Sequence, residues 1–208
     1  MIVPPSPYYD LHFITNYGID LKSRKIYLLG AIEEGVIDTT IEAIDYFNNQ
    51  SYCGEESSKP ITILINSPGG HDDWQLLLYD TIINSQAPIH TIGSGAVCSA
   101  ATLILASGDK RSATESCMLM CHKWRVEISG VDDEVISNAE ATQNTAELYW
   151  KRMARHTNLS AGEWLKKVKQ KGELWLDSRQ MLQFGVIDYI IQPSRRVVEP
   201  LAVRKLKI

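Results

Sequence analysis

Three short blocks of this 208-residue chain carry side chains that together can run nucleophilic catalysis. A Pro68-Gly69-Gly70 turn closes an apolar strand. A small-residue segment, Gly93 to Ala101, follows a second strand and contains Ser99. His122 ends a third apolar run, Cys117 to Cys121. A serine hydroxyl is inert until a base removes its proton, and a histidine is the usual base. Backbone N–H groups freed at glycine turns and helix starts stabilise the oxyanion that forms on attack. Ser99 is therefore the candidate nucleophile and His122 the candidate base. The backbone N–H groups of Gly70 and Ala100 are candidate oxyanion donors. Gly69 and His71, on either side of Gly70, are candidate substrate contacts.

Each block has a plainer reading. Ser99 alone could be a helix N-cap, a common role for serine. A lone histidine at a strand end is more often a satisfied structural group, and His12, His71, His90 and His156 compete with His122. Gly-Gly turns are frequent. The argument rests on the combination, and on the turn closing a strand at the end where α/β sheets place their sites. Cys117, Cys121 and His122 invite a metal reading, but on a strand Cys121 and His122 point to opposite faces. No metal and no cofactor is expected.

Positioning these blocks requires strands and helices in alternation. Lys25 to Gly30, Ile61 to Ile65, Ile89 to Ile92, Cys117 to Cys121 and Val186 to Ile191 read as strands. Val36 to Asn49 has apolar residues at helical spacing, with Asp38 and Thr39 as plausible caps. Trp74 to Ser85, Ser99 to Ala106, Val131 to His156, Glu163 to Val168 and Ser178 to Phe184 read as further helices. The pattern predicts one α/β domain over residues 1–208 with a parallel core and no internal repeat. Residues 1–20, rich in proline and tyrosine, read as an irregular arm. Ser51 to Pro60 reads as a polar loop, and 193–208 as a tail.

Composition narrows the class. Hydrophobic residues make up 44% and charged residues 22%, ordinary for a globular chain. With a net charge of −4 no basic field points to nucleic acid. Basic clusters at Lys166 to Lys171 and Arg204 to Lys207 read as a solvated face and a tail. Ala100 to Ala106, the longest apolar run, is too short for a bilayer. Four cysteines without a framework spacing, and no secretory leader, place the expectation in a reducing cytoplasm.

Taken together, Asn66-Ser67-Pro68-Gly69-Gly70, Tyr79-Asp80-Thr81, Gly95-x-x-Cys98-Ser99, Lys110-Arg111, Met120-Cys121-His122 and Gly185-Val186-Ile187-Asp188 resemble the Clp protease proteolytic subunit (ClpP) family over about residues 24 to 191. The resemblance implies a crotonase-like fold with repeated β-β-α units and a protruding, helix-containing handle. It implies an ATP-dependent serine endopeptidase acting on unfolded protein or peptide inside a homo-heptamer or double-ring tetradecamer. An AAA+ unfoldase is the partner it suggests. It assigns Ser99 as nucleophile, His122 as base, and the Gly70 and Ala100 amides as the oxyanion hole.

Counting back from Gly185 puts the family's aspartate on Glu173, with Asp177 as rival. Glutamate can orient a histidine as aspartate does. Asp177 is placed to cap the helix starting at Ser178. Other departures mark a divergent member, of the viral or minor-paralogue kind. Gly172 stands where the family has an inter-ring arginine. Ala100 replaces a larger apolar residue. Thr62 and Leu64 replace aromatics of the ATPase docking pocket. Lys123 to Gly130 is not glycine-rich, and the Ser51 to Pro60 loop is long. The alternatives are a phage-type capsid-maturation protease, a crotonase-superfamily acyl-CoA enzyme, which needs no Ser-His pair, and a non-catalytic ring subunit.

Overall fold

Seven helices and eight strands alternate along the residues that the computed structural model describes, 7–50, 59–123 and 131–192. Five strands form a parallel ladder. They are β2 (Lys25–Leu29), β3 (Ile61–Ser67), β4 (Ile89–Cys98), β5 (Lys110–Thr114) and β8 (Tyr189–Ile191). The short β1 (Ile19–Asp20) pairs antiparallel with β2 at one edge. The result is a mixed α/β fold.

Period-two burial builds the sheet. Ile61, Ile63 and Ile65 of β3 are fully buried, while Thr62 and Leu64 on the other face are half-buried. Each such isoleucine contributes roughly 1.5–3 kcal/mol relative to exposure. Helix α2 (Glu34–Gln50) buries Ile37, Ile44 and Phe47 from one stripe, and α3 (Asp72–Ile83) buries Leu78, Tyr79 and Ile82. Helix α4 (Ala101–Ala106) is buried on every side, which explains its apolar sequence broken only by Thr102.

The sheet forks at β4, and the fork makes the site. The first half of β4, His90 to Gly93, pairs with Lys110 to Ala113 of β5. Its second half, Ala96 to Cys98, pairs instead with Met118 to Met120 of β6 (Met118–His122). Gly95 lies at the break with φ +71°, a conformation glycine adopts without strain. Beside it, β3 is irregular between Ile65 and Ser67. There the Asn66 side chain turns across to accept the Ala96 N–H at 3.1 Å. Beyond the fork, β7 (Glu173–Leu176) adds antiparallel to β6.

Several expectations need correction. Residues 1–20 are not wholly irregular: Pro7–Tyr17 is helix α1, and Ile19–Asp20 is β1. Proline at the first helical position removes only an N–H that has no intrahelical partner. Helix α2 begins at Glu34, ahead of Asp38 and Thr39. Strands β5 and β7 were not expected as such. Residues 51–58, 124–130 and 193–208, which include most of the polar loop, most of the segment after His122 and the tail, lie outside the described residues.

The C-terminal region is tied to the sheet by one arginine. Arg111 of β5 donates through Nη2 to Asp188 at 2.6 Å and through Nη1 to the Gly185 carbonyl at 2.9 Å. The same Nη1 reaches the carbonyl of His156 at the end of helix α5 (Asp132–His156). Partial burial pushes the Asp188 carboxyl up. Hydrogen bonds from the Arg111 side chain and backbone, with its charge, outweigh this and hold it below the usual value. The paired Lys110-Arg111 and Gly-Val-Ile-Asp blocks thus meet in space.

Candidate functional site

Ser99 sits on a sharp elbow between β4 and α4. Its φ is +53°, one of two non-glycine positive values among the described residues. This region costs an L-residue about 1–2 kcal/mol and needs surrounding structure to hold it. Two backbone bonds do so. The Ser99 N–H donates to the Met120 carbonyl at 2.7 Å, and its carbonyl accepts from the Thr102 N–H at 3.0 Å. Ser99 is not the N-cap of α4: that position belongs to Ala100, so the serine lies one residue before the cap and two before the first helical residue.

The glycine turn presses directly on this elbow. A Cβ added to Gly69 would lie 2.6 Å from the Ser99 Cβ and 2.7 Å from the Cys98 carbonyl oxygen. Gly69 also has φ +93°, so glycine is required there twice over. Ser67 Oγ accepts the Gly69 N–H at 3.1 Å and pins the turn from within. Gly70 forms a parallel bridge with Ile32 through its neighbours: Ile32 N–H donates to the Gly69 carbonyl, and His71 N–H to the Ile32 carbonyl. The Gly70 N–H points away from that bridge and has no hydrogen-bond partner among the described residues. The same holds for the Ala100 N–H. His71 is exposed at the N-cap of α3, its imidazole giving the helix no cap hydrogen bond.

His122 ends β6, the strand that holds the elbow. Met120, the acceptor of the Ser99 N–H, lies two residues earlier on the same strand, so both side chains share a face. Cys117, Leu119 and Cys121 alternate on the buried face. The Nδ1 of His122 is in hydrogen-bond contact with the Lys123 carbonyl. A carbonyl only accepts, so Nδ1 carries the proton there and Nε2 is left as an acceptor.

Glu173 is the register partner of His122 across the β6–β7 pair. Opposed residues of an antiparallel pair project to the same face with Cβ atoms about 4.5–5.5 Å apart. Burial first, then the Glu173 charge, pushes the Cys98 thiol up, which puts that carboxylate within electrostatic reach of the residue preceding Ser99. Its Oε2 accepts from Trp175 Nε1 at 3.4 Å. Asp177 is engaged elsewhere. It caps helix α7 (Ser178–Gln183), accepting the Gln180 N–H at 2.8 Å while Gln180 Oε1 accepts the Asp177 N–H at 3.0 Å. The fold therefore brings Ser99, Gly69, Gly70, His71, Ala100, His122 and Glu173 to one corner of the forked sheet. Among the described residues no group of three metal-ligating side chains is assembled.

A strained serine elbow on a forked α/β sheet, with a glycine turn over the serine and a histidine on the branch strand, is compatible with a serine hydrolase. The Clp protease family model matches residues 10–194, and the chain belongs to that family. The ATP-dependent Clp protease proteolytic subunit of Carsonella ruddii is 29% identical over 181 residues, covering 86% of this chain and 89% of that protein. Proteolytic subunit 2 of Treponema denticola is 28% identical, over 86% of this chain and 87% of its own. Proteolytic subunit 2 of Pseudomonas aeruginosa is 27% identical over 184 residues, with the same two coverages. Such identities fit a divergent member.

Proposed function

We propose that this chain is a serine endopeptidase subunit that cuts unfolded polypeptide, with Ser99 as nucleophile and His122 as general base. The observation that carries this reading is the packing of Gly69 on Ser99, which puts two unpaired backbone N–H groups, those of Gly70 and Ala100, beside one strained serine. Ser99 Oγ attacks the scissile carbonyl carbon and passes its proton to His122 Nε2. The carbonyl oxygen becomes an oxyanion held by the two N–H groups. The imidazolium then gives its proton to the leaving amine, leaving an acyl-Ser99 ester that water hydrolyses by the reverse roles. Glu173 supplies the negative charge beside the imidazolium. Gly69 and His71 line the approach of the substrate.

An aryl or alkyl fluorophosphonate tests the assignment directly. It should add once per chain, on the peptide containing Ser99, and addition should block peptide hydrolysis in step. An active preparation that takes up the reagent elsewhere, or not at all, refutes Ser99. An acyl-CoA enzyme of related fold or a non-catalytic ring subunit would not react at this serine.

The working particle in this reading is a ring of identical subunits fed by an ATP-driven unfoldase of the AAA+ class, in keeping with the relatives' names. Helix α5 supports assembly. Its second half buries Tyr149, Trp150 and Met153, while Ile136 in its first half is 59% exposed and Leu148, beside Tyr149, is 46% exposed. Apolar groups displayed along a projecting helix favour burial against other subunits. Light scattering should return a mass corresponding to one or two seven-membered rings of the 23.4 kDa subunit. A monomer alone at micromolar concentration would reject the ring. No helix among the described residues is long and apolar enough to cross a membrane.

A further inference from the structure

The elbow is braced from below by a buried hydrogen-bonded chain that runs to helix α5. Thr102 Oγ1 donates to the Ser99 carbonyl at 2.7 Å. Thr102 Oγ1 is also in hydrogen-bond contact with the Tyr149 hydroxyl. Cys121, one residue before His122, stands beside both, near enough for its thiol to feel each of them electrostatically. Thr102, Cys121 and Tyr149 are 0%, 1% and 3% exposed. Three buried groups thus gather from α4, β6 and α5 beside one carbonyl.

The direction of the chain follows from its last member. A carbonyl can only accept, so the Thr102 hydroxyl hydrogen is committed to Ser99. The hydrogen shared between Thr102 and Tyr149 must then come from Tyr149. Burial pushes the Cys121 thiol up to about 12, so it keeps its proton at neutral pH. Thr102 and Tyr149 each donate once, and both links are satisfied.

The consequence for chemistry lies in the peptide unit after Ser99. Its carbonyl and the Ala100 N–H belong to one rigid plane and point in opposite directions. Fixing the Ser99 carbonyl therefore aims the Ala100 N–H. We propose that Tyr149 is a positioning residue, which holds the Thr102 hydroxyl on the Ser99 carbonyl and so orients the Ala100 N–H toward the oxyanion. The proposal rests on the reading of Ser99 and Ala100 given above. The Thr102 N–H gives the same carbonyl a second, independent bond, so loss of the side-chain brace tilts the plane without releasing it. The effect is accordingly smaller than outright removal of an oxyanion donor, which costs ~10²–10³-fold in turnover.

Tyr149→Phe removes only the hydroxyl and keeps the ring edge-on to Trp150, at 4.7 Å between centroids. Thr102→Val removes the other hydroxyl at constant shape, and Thr102→Ser restores it. With a short fluorogenic peptide, Tyr149→Phe and Thr102→Val should each lower kcat about tenfold with KM nearly unchanged. Affinity for a peptide boronic acid, whose tetrahedral adduct uses the oxyanion hole, should fall in parallel. Thr102→Ser should recover both. A purely structural brace would lower the melting temperature and leave kcat and boronate affinity as in wild type, and that result overturns the proposal. If Tyr149→Phe does not fold, Thr102→Val against Thr102→Ser decides alone. Ser99→Ala run alongside separates the two levels. Hydrolysis that survives Ser99→Ala overturns the reading of the site, and this proposal with it. Ser99-dependent hydrolysis indifferent to both hydroxyl deletions overturns this proposal only.

Discussion

Ser99→Ala is expected to abolish peptide hydrolysis while leaving the fold intact. The substitution deletes one oxygen at a half-exposed position, so it opens no cavity in the core. The positive φ of Ser99 is no obstacle to the variant. Serine and alanine bear nearly the same left-handed penalty, and the strain is already met by the Ser99–Met120 and Thr102–Ser99 backbone bonds and by the glycine turn above. Without a nucleophile only the oxyanion donors and substrate binding remain. In serine proteases generally, removing the serine alone lowers kcat by ~10⁶, and removing further triad members costs little more. Thermal unfolding of the variant should match wild type, and its turnover should be at the detection limit. Turnover within tenfold of wild type would show that Ser99 is not the nucleophile.

The elements that could be read from the chain are those whose own residues carry the signal. The isoleucine alternation of β3, the apolar stripe of α2 and the long α5 are visible because burial repeats at the period of the element. Strand β5, Lys-Arg-Ser-Ala-Thr, has no such pattern. Its place comes from being sandwiched between β4 and β8, which buries Ser112 and Ala113 regardless of composition. The Gly93-Ser94-Gly95 segment reads as a turn, yet β4 runs through it. What carries the strand on is the Asn66 side chain and a change of ladder partner, neither of them local to that segment.

The candidate site divides in the same way. Residue types and their order along the chain pointed to Ser99, His122 and the Gly-Gly turn, because nucleophilic chemistry needs those types. The contact between Gly69 and Ser99 is a meeting of two turns thirty residues apart, and no periodicity encodes it. The elbow itself was expected as the first residue of a helix. The helix starts two residues later, at Ala101, because the Met120 carbonyl captures the Ser99 N–H and bends the chain before α4 begins. Thr102, Cys121 and Tyr149 were passed over because a threonine, a cysteine and a tyrosine on three separate elements look like ordinary core residues until the fold brings them together. Asp177, by contrast, was legible as a cap, since an aspartate just before a helix with glutamine three residues on is a local signal.

Glu173→Gln is expected to lower kcat by about two to four orders of magnitude with KM little changed, the range spanned by amide replacements of triad acids. A triad acid does two things: it selects the tautomer with the proton on Nδ1, and its charge stabilises the imidazolium formed on attack. In this structure the Lys123 carbonyl takes the Nδ1 proton, so the tautomer survives the loss of the carboxylate. The charge does not, and a backbone carbonyl cannot replace it. The loss should therefore fall toward the lower end of the range. Glu173→Asp keeps the charge and shortens the reach from β7 by one methylene, so it should retain much of the rate. Asp177→Asn is the control four residues along. Asparagine caps helices about as well as aspartate, so both stability and turnover should stay near wild type. Steady-state kinetics of the three variants on one peptide decide among the outcomes. If Asp177→Asn removes activity and Glu173→Gln does not, Asp177 is the acid and must leave its capping box to act. If neither matters, the Lys123 carbonyl alone suffices to hold the imidazole, and the enzyme works as a Ser-His dyad.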